Sequence, residues 1–260
     1  MYEALNIAAT GLTNQQRRLD TIANNVANVN SAAYKSARLD FKDALYTAGI
    51  VPALPRTPEG NQQKGHGVMV AGITKDFRTG SMQSTGRQLD IAIEGEGFLE
   101  LEDPNGNIVY TRNGSLNLGN DNEEGGGLYL VNGDGYYVHD TEGMRIQVPD
   151  FFEDMTIGED GVVRFTAGGE ETSVALGLYT FRNITGLMSS GSGTYSETVA
   201  SGEKMQAEGA VVRQGILEIS NVNLAEEMTR MIRTQRAFSL ASRALTTADE
   251  MEGIANNMRR

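Results

Sequence analysis

The chain holds two histidines, His66 and His139, and no cysteine among its 260 residues. Without cysteine there is no disulfide and no thiolate metal site, and the redox compartment stays open. A zinc site or a Ser-His-Asp arrangement would have to assemble from groups far apart in sequence. Neither histidine lies beside a pair of carboxylates in sequence. Gly95-Glu96-Gly97 is a glycine pair with no following helix, so it reads as a hairpin turn rather than a phosphate loop. Gly125-Gly126-Gly127 follows Asp121-Asn122-Glu123-Glu124, whose charge would repel phosphate. Asn132, Asp134 and Asp140 are the right types for a calcium loop. The bidentate glutamate at the required spacing is missing, which leaves a plain turn. No catalytic, cofactor-binding or metal residues are expected, and no cofactor.

Two asparagine-bearing segments stand out instead. Ile22-Ala23-Asn24-Asn25-Val26-Ala27-Asn28-Val29-Asn30 places four asparagines in nine residues at the end of an apolar helical pattern. In Ser220-Asn221-Val222-Asn223-Leu224-Ala225-Glu226-Glu227-Met228, Ser220 or Asn223 can cap a helix. Glu226 then stands where a capping box places its acid. Capping alone accounts for the second segment. It leaves Asn24, Asn25 and Asn28 unexplained, and amides at a helix seam can fix register between packed helices.

The elements that carry these asparagines have matching stripes. Leu5, Leu12, Leu19 and Val26 recur every seven residues, with Ala8, Ile22 and Val29 between them and Gln15 as the polar exception. Leu224, Met228, Met231, Phe238, Leu245 and Ala248 form a second stripe, with Gln235 as its polar member. A heptad stripe gives a helix one apolar seam, and that seam needs a partner. The two ends are expected to pair with each other or with the ends of neighbouring copies, which suits an assembly subunit. The proposed assembly interface is therefore Leu5, Leu12, Leu19, Ile22, Asn24, Asn25, Val26, Asn28, Asn221, Asn223, Leu224, Met228, Met231, Gln235, Phe238 and Leu245.

Charge is distributed in the same way. The formal net charge is −12. Residues 1–46 carry net +1 and residues 215–260 net 0, leaving −13 on the middle. Near-neutral ends can pack among many copies without accumulating repulsion, and an acidic middle suits a solvated surface. The plainer reading is that acidic β-domains are merely soluble. The acidic balance argues against nucleic acid or an anionic lipid surface as the main partner. No run of 18 apolar residues predicts a membrane span. The N-terminus lacks a basic n-region and an apolar h-region, so no cleaved signal peptide is expected.

The expected fold class is α+β, with terminal helices pairing as a coiled-coil-like inner layer and a central all-β outer domain. Residues 1–46 form an N-terminal helical segment, with a helix over 3–28 and weaker helical character over 34–46. Residues 47–67 form an extended Pro/Gly segment, in which Pro52, Pro55 and Pro58 recur every third residue. Residues 68–212 read as short strands with glycine turns, as in a sandwich or barrel. Asn105-Gly106 and Asp160-Gly161 are hairpin signals, and Asn132–Gly135 sits between two more strands. Residues 213–260 form the C-terminal helical segment, with its helix starting near Asn223.

These residues carry a resemblance. Ala9-Thr10-Gly11-Leu12, the Ile22–Asn30 segment and Tyr34-Lys35 are similar to the N-terminal signature of the bacterial flagellar rod and hook proteins. Gly215–Met228, with Met231-Ile232 and Gln235-Arg236-Ala237-Phe238, resembles the matching C-terminal end. Leu89–Phe98 and Tyr110-Thr111-Arg112-Asn113-Gly114-Ser115 resemble the family's outer-domain motifs. The resemblance covers essentially the whole chain, and together the motifs are highly specific. It departs from the family in the lengthened acidic loop 121–127.

Within the family, one central β-domain and the insertion after the first helix resemble the distal rod. The alternative is another rod or hook subunit of similar size. The resemblance implies a self-assembling helical tube that carries torque to the hook and leaves an export channel. It further implies location in the flagellar basal body, and export without a cleaved signal by the flagellar type III apparatus. Implied partners are other copies, other rod proteins, hook or hook-junction subunits and bushing-ring proteins. Pro52, Pro55 and Pro58 would mark a stiffening segment. Two readings outside the family stand beside this one. A secreted adhesin-like domain would work through its β-surface, and a carbohydrate-active enzyme would need a carboxylate pair in a cleft.

Overall fold

The computed structural model describes residues 2–44, 46–48, 63–65, 67–120, 127–149 and 151–258. Pro52, Pro55, Pro58 and His66 lie outside them. Two long helices, α1 (Tyr2–Ala27) and α2 (Leu224–Asn257), bracket a region of short strands. The chain divides into two compact units, one of residues 1–27, 37–75 and 223–260, the other of 28–36 and 76–222. Among the described residues no helix is long and apolar enough to cross a membrane.

In the first unit α1 and α2 pack side by side. Asn223 starts α2, its Oδ1 accepting the amides of Ala225 at 3.1 Å and Glu226 at 3.3 Å. The reciprocal half of a capping box is not made, because Glu226 pairs with Arg230 at 2.5 Å. Two acids in the first turn suit the positive end of the helix dipole. The weak helical pattern over 34–46 gives way to a strand, Ala37–Asp43, antiparallel to Val68–Lys75 with a bulge at Asp40/Phe41. Leu39 alone of this strand is buried. Its partner lies some thirty residues away, beyond the reach of local periodicity. Val68–Lys75, expected at the start of the central β-domain, thus belongs with the helices.

The second unit is built from hairpins. Phe98–Glu102 pairs with Ile108–Thr111 across Asn105-Gly106, and Asp154–Ile157 pairs with Val162–Ala167 across Asp160-Gly161. Gly106 and Gly161 have φ of +81° and +73°, the left-handed conformation these turns need. In Asp154–Ile157 and Val162–Ala167, Met155, Ile157, Val163 and Phe165 point inward while their neighbours face solvent. The main sheet runs 147–148, 128–132, 137–138, 98–102, 108–111, 194–196 and 188–191, with 178–181 also paired to 98–102.

Phe98–Leu101 is buried on both faces. Leu99 and Leu101 enter the aliphatic core with Ile91, Ile93, Leu116, Leu130 and Val163. Phe98 faces the other way, into an edge-to-face cluster with Tyr110, Phe181 and Tyr195. Gly95-Glu96-Gly97 is not a hairpin turn. Ile91–Glu94 pairs with Val211–Gln214, while Phe98–Glu102 pairs elsewhere, so the glycines link two separate ladders.

Candidate assembly sites

Each unit holds a polar arrangement that ties distant segments together. In the first, the asparagines of α1 act on the backbone of strands. Asn25, buried, donates Nδ2 to the Ala37 carbonyl and accepts the Ala37 amide on Oδ1, both at 2.9 Å. An amide side chain thereby serves as a one-residue strand partner. Asn14, also buried, donates to the Val68 carbonyl at 2.5 Å. Asn25 therefore pins α1 to a strand.

Asn24 is exposed, on the rim of a groove of about 540 Å³ between α1 and the 37–43/68–75 strand pair. Arg17, Asp20, Thr21 and Asn24 line it from α1, and Ala37, Leu39, Val70 and Ile73 from the strands.

Ile22 is buried, whereas Leu12, Leu19 and Val26 are half-buried. Leu5 lies in α1, with its side chain outside the described residues. On α2, Met231, Phe238 and Leu245 are half-buried. Leu224, Met228 and Gln235 are exposed, while Glu227 and Thr234 are buried. The covered face of α2 therefore turns away from part of the heptad stripe and takes in two polar residues.

In the second unit the segment leading from residue 28 is held by a buried ion cluster. Lys35, Arg112 and Glu218 have side-chain exposures of 0, 4 and 1%. Glu218 Oε1 accepts Lys35 Nζ at 2.6 Å and the Gly80 amide at 2.7 Å, and Oε2 accepts Arg112 Nε at 3.1 Å. Arg112 also donates to the carbonyls of Ile93, Gly95 and Gly97 at 3.0–3.1 Å, and Lys35 to that of Arg78 at 2.8 Å.

Burial works against the Glu218 carboxylate, but Arg112, Lys35 and the Gly80 amide outweigh it and hold its carboxyl below the ordinary range. A Cβ on Gly80 would lie 2.0 Å from the Ile219 carbonyl oxygen, so only glycine fits beside this carboxylate. Asn221 completes the tie. Its Oδ1 accepts the Ser36 amide at 2.8 Å, and its Nδ2 donates to the carbonyls of Asp76 and Arg78. Asn28 Oδ1 accepts the Ser31 hydroxyl at 3.1 Å. Lys35, Arg112 and Glu218 stand inside the quoted motifs, yet nothing in the sequence marks their charges as buried.

His139 has carboxylate neighbours that its sequence position hides. Its Nδ1 lies 3.3 Å from Glu100 and its Nε2 3.0 Å from Glu102. Lys204 pairs with Glu100 at 2.5 Å and Arg145 with Glu102 at 2.8 Å. Arg145 and His139 hold the Glu102 carboxyl down to about 2. Both carboxylates are saturated by cations, which makes this a structural ion cluster rather than a general acid with a general base. Among the described residues no group of three or more acids and histidines is placed to hold a metal.

Comparison with known proteins decides the family. Residues 5–35 match the flagella basal body rod protein family. Residues 92–165 match the D1 domain of the flagellar hook proteins FlgE/F/G, and residues 213–258 the C-terminal domain of the flagellar basal body rod proteins FlgEFG. The flagellar basal-body rod protein FlgG of Borreliella burgdorferi is 40% identical over all of both chains. That of Agrobacterium fabrum is 36% identical over 97% of this chain and 98% of its own. That of Bacillus subtilis is 35% identical over all of both. The chain belongs to the flagellar rod and hook family. It is a structural subunit of the flagellar distal rod and not an enzyme. The three matched regions contain most of α1, all of α2 and the ion cluster of Lys35, Arg112 and Glu218, while strands 178–181, 188–191 and 194–196 lie outside them.

Proposed function

We propose that the chain polymerises through its terminal helices into a helical tube, the distal rod, which carries motor torque to the hook and leaves a central export channel. One observation carries this reading. α2 packs on α1 yet leaves Leu224, Met228, Ile232, Leu240, Met251 and Ile254 between 41 and 64% exposed, with Met258 just past its end at 78%. So much bare aliphatic surface on one helix marks an interface that other copies cover. The α1/α2 pair is the coiled-coil-like inner layer, and the β-unit is displayed outward. The partners are further copies, neighbouring rod proteins, hook or hook-junction subunits and bushing-ring proteins. The chain reaches the rod through the flagellar type III apparatus.

The Pro52, Pro55 and Pro58 segment stiffens subunit contacts, since prolines lower the entropy lost on ordering. Its deletion should leave tubes that bend more in electron micrographs. The test of the whole reading is truncation of residues 1–30 or 225–260. Either should abolish incorporation into rods while the β-unit keeps its near-ultraviolet circular dichroism. Rods built from a truncated chain would sink it.

A further inference from the structure

The apolar residues of α2 form two faces. Met231, Phe238 and Leu245, with buried Thr234 among them, make the face that meets α1. At 3.6 residues per turn, Leu240, Met251, Ile254 and Met258 fall on one stripe on the opposite side. Their exposures are 64, 55, 59 and 78%. A helix that is apolar on two sides is suited to burial on two sides, and α1 covers one. α1 is also shorter, 26 residues against 34. At about 1.5 Å per residue, roughly two turns of α2 outrun any cover α1 supplies. The exposure of Met251 and Ile254, and of Met258 just past the helix, places bare surface at its C-terminal end.

The first unit also contains a receptor of matching character. The groove between α1 and the strand pair has an aliphatic floor of Leu39, Val70 and Ile73. Ile73 is 63% exposed. Arg17 stands on the groove's α1 rim beside Asp20, and Glu250 flanks the Met251–Ile254 stripe one residue away.

We propose that the Met251–Ile254–Met258 stripe of one copy seats in the groove of a second copy, with Glu250 facing Arg17. This rests on the polymer reading above and names its contact. Knob and hole are different parts of one surface, so the contact can be used head to tail, as a heterologous one. Used that way with a rotation that does not close into a ring, its repetition generates the open helical array of the polymer reading. The charge pair fixes one orientation of the helix in the groove.

The absence of cysteine makes the test direct. A chain carrying Ile73→Cys and Ile254→Cys is expressed in cells lacking the native protein, and isolated rods are oxidised. A ladder of cross-linked oligomers is expected from the double variant and none from either single variant. Rods that contain both cysteines and give no ladder overturn the docking while leaving the polymer reading intact. Rods built by the terminal truncations overturn that reading instead. Should the cysteine pair itself prevent rod formation, charge exchange decides. Arg17→Glu is expected to lower rod number by about tenfold or more, and Arg17→Glu with Glu250→Arg to restore it. A double variant no better than the single overturns the proposal.

Discussion

Replacing Glu218 with glutamine tests the buried ion cluster at its centre. The substitution keeps the shape and an acceptor for the Gly80 amide. It removes the single negative charge between Lys35 Nζ at 2.6 Å and Arg112 Nε at 3.1 Å. Two cations then remain, with side-chain exposures of 0 and 4%. Breaking a buried pair by removing one partner costs about 3–5 kcal/mol, because an uncompensated charge stays behind. Lys35→Met costs less, about 1–3 kcal/mol, since Glu218 keeps Arg112 and the Gly80 amide.

The double variant is the sharper measurement. Removing Lys35 relieves the repulsion that Glu218→Gln creates, and Arg112 retains its three carbonyl acceptors. The two losses should therefore fail to add by about 1.5–3 kcal/mol. Urea unfolding of the full chain reads this out. The sequence has no tryptophan, so near-ultraviolet circular dichroism reports the cluster of Phe98, Tyr110, Phe181 and Tyr195. A loss in Glu218→Gln below about 1 kcal/mol, or strict additivity in the double variant, would refute the reasoning.

Other expectations follow from the same structure. Glu102 has its carboxyl lowered from 4.5 to about 2, so its stabilisation is present above pH 4.5 and lost as pH falls through 2. At about 1.4 kcal/mol per unit, and discounted for the partly exposed Arg145, this is about 1–2 kcal/mol. Glu102→Gln should flatten the fall in urea midpoint between pH 6 and pH 3, and an unchanged slope would count against it. A Cβ on Gly11 would meet nothing within 4 Å in the middle of α1. Gly11→Ala should therefore stabilise the helix by about 1 kcal/mol, seen as a higher midpoint in melts followed at 222 nm.

Much of the architecture was legible in the residues, because local patterns decide it. Heptads marked both helices, and Asn105-Gly106 and Asp160-Gly161 located two hairpins to within a residue or two. What stayed hidden depends on distant partners. Leu39, Lys42 and Leu45 mimic helical spacing, but Ala37–Asp43 is a strand because Val68–Lys75 lies beside it. Gly95–Gly97 resembles a hairpin turn locally, yet Ile91–Glu94 takes its partner from Val211–Gln214. The ion pair of Lys35 and Glu218 spans 183 residues, and a charged residue carries no local sign that it will be buried. Thr234 and Glu227 reached covered positions on α2 that an apolar stripe assigns to neighbours. The α1 asparagines did stand out as excess amide. Their hydrogen-bond partners, the backbones of Ala37 and Val68, required the fold.

The seam between the helices argues that the termini gain much of their order on assembly. Gln15 Oε1 and Glu227 Oε2 are buried without a hydrogen-bond partner. Each such oxygen costs about 1–3 kcal/mol. On the favourable side, Ile22 is the one seam aliphatic among the described residues that is fully buried, worth about 1.5–3 kcal/mol. Half-buried Leu12, Leu19, Met231 and Phe238 add smaller amounts. The two sides nearly cancel before backbone ordering is counted, at about 1–2 kcal/mol per residue. Burial of the exposed face of α2 against neighbours would add to the favourable side. A verified monomer should therefore show less helix by circular dichroism than the assembled tube, while its β-unit is unchanged. Hydrogen exchange on the monomer makes the decision local. Amides of 2–27 and 224–257 should exchange far faster than those of 98–102 and 162–167. Equal protection across all four segments would show that the helix pair stands on its own.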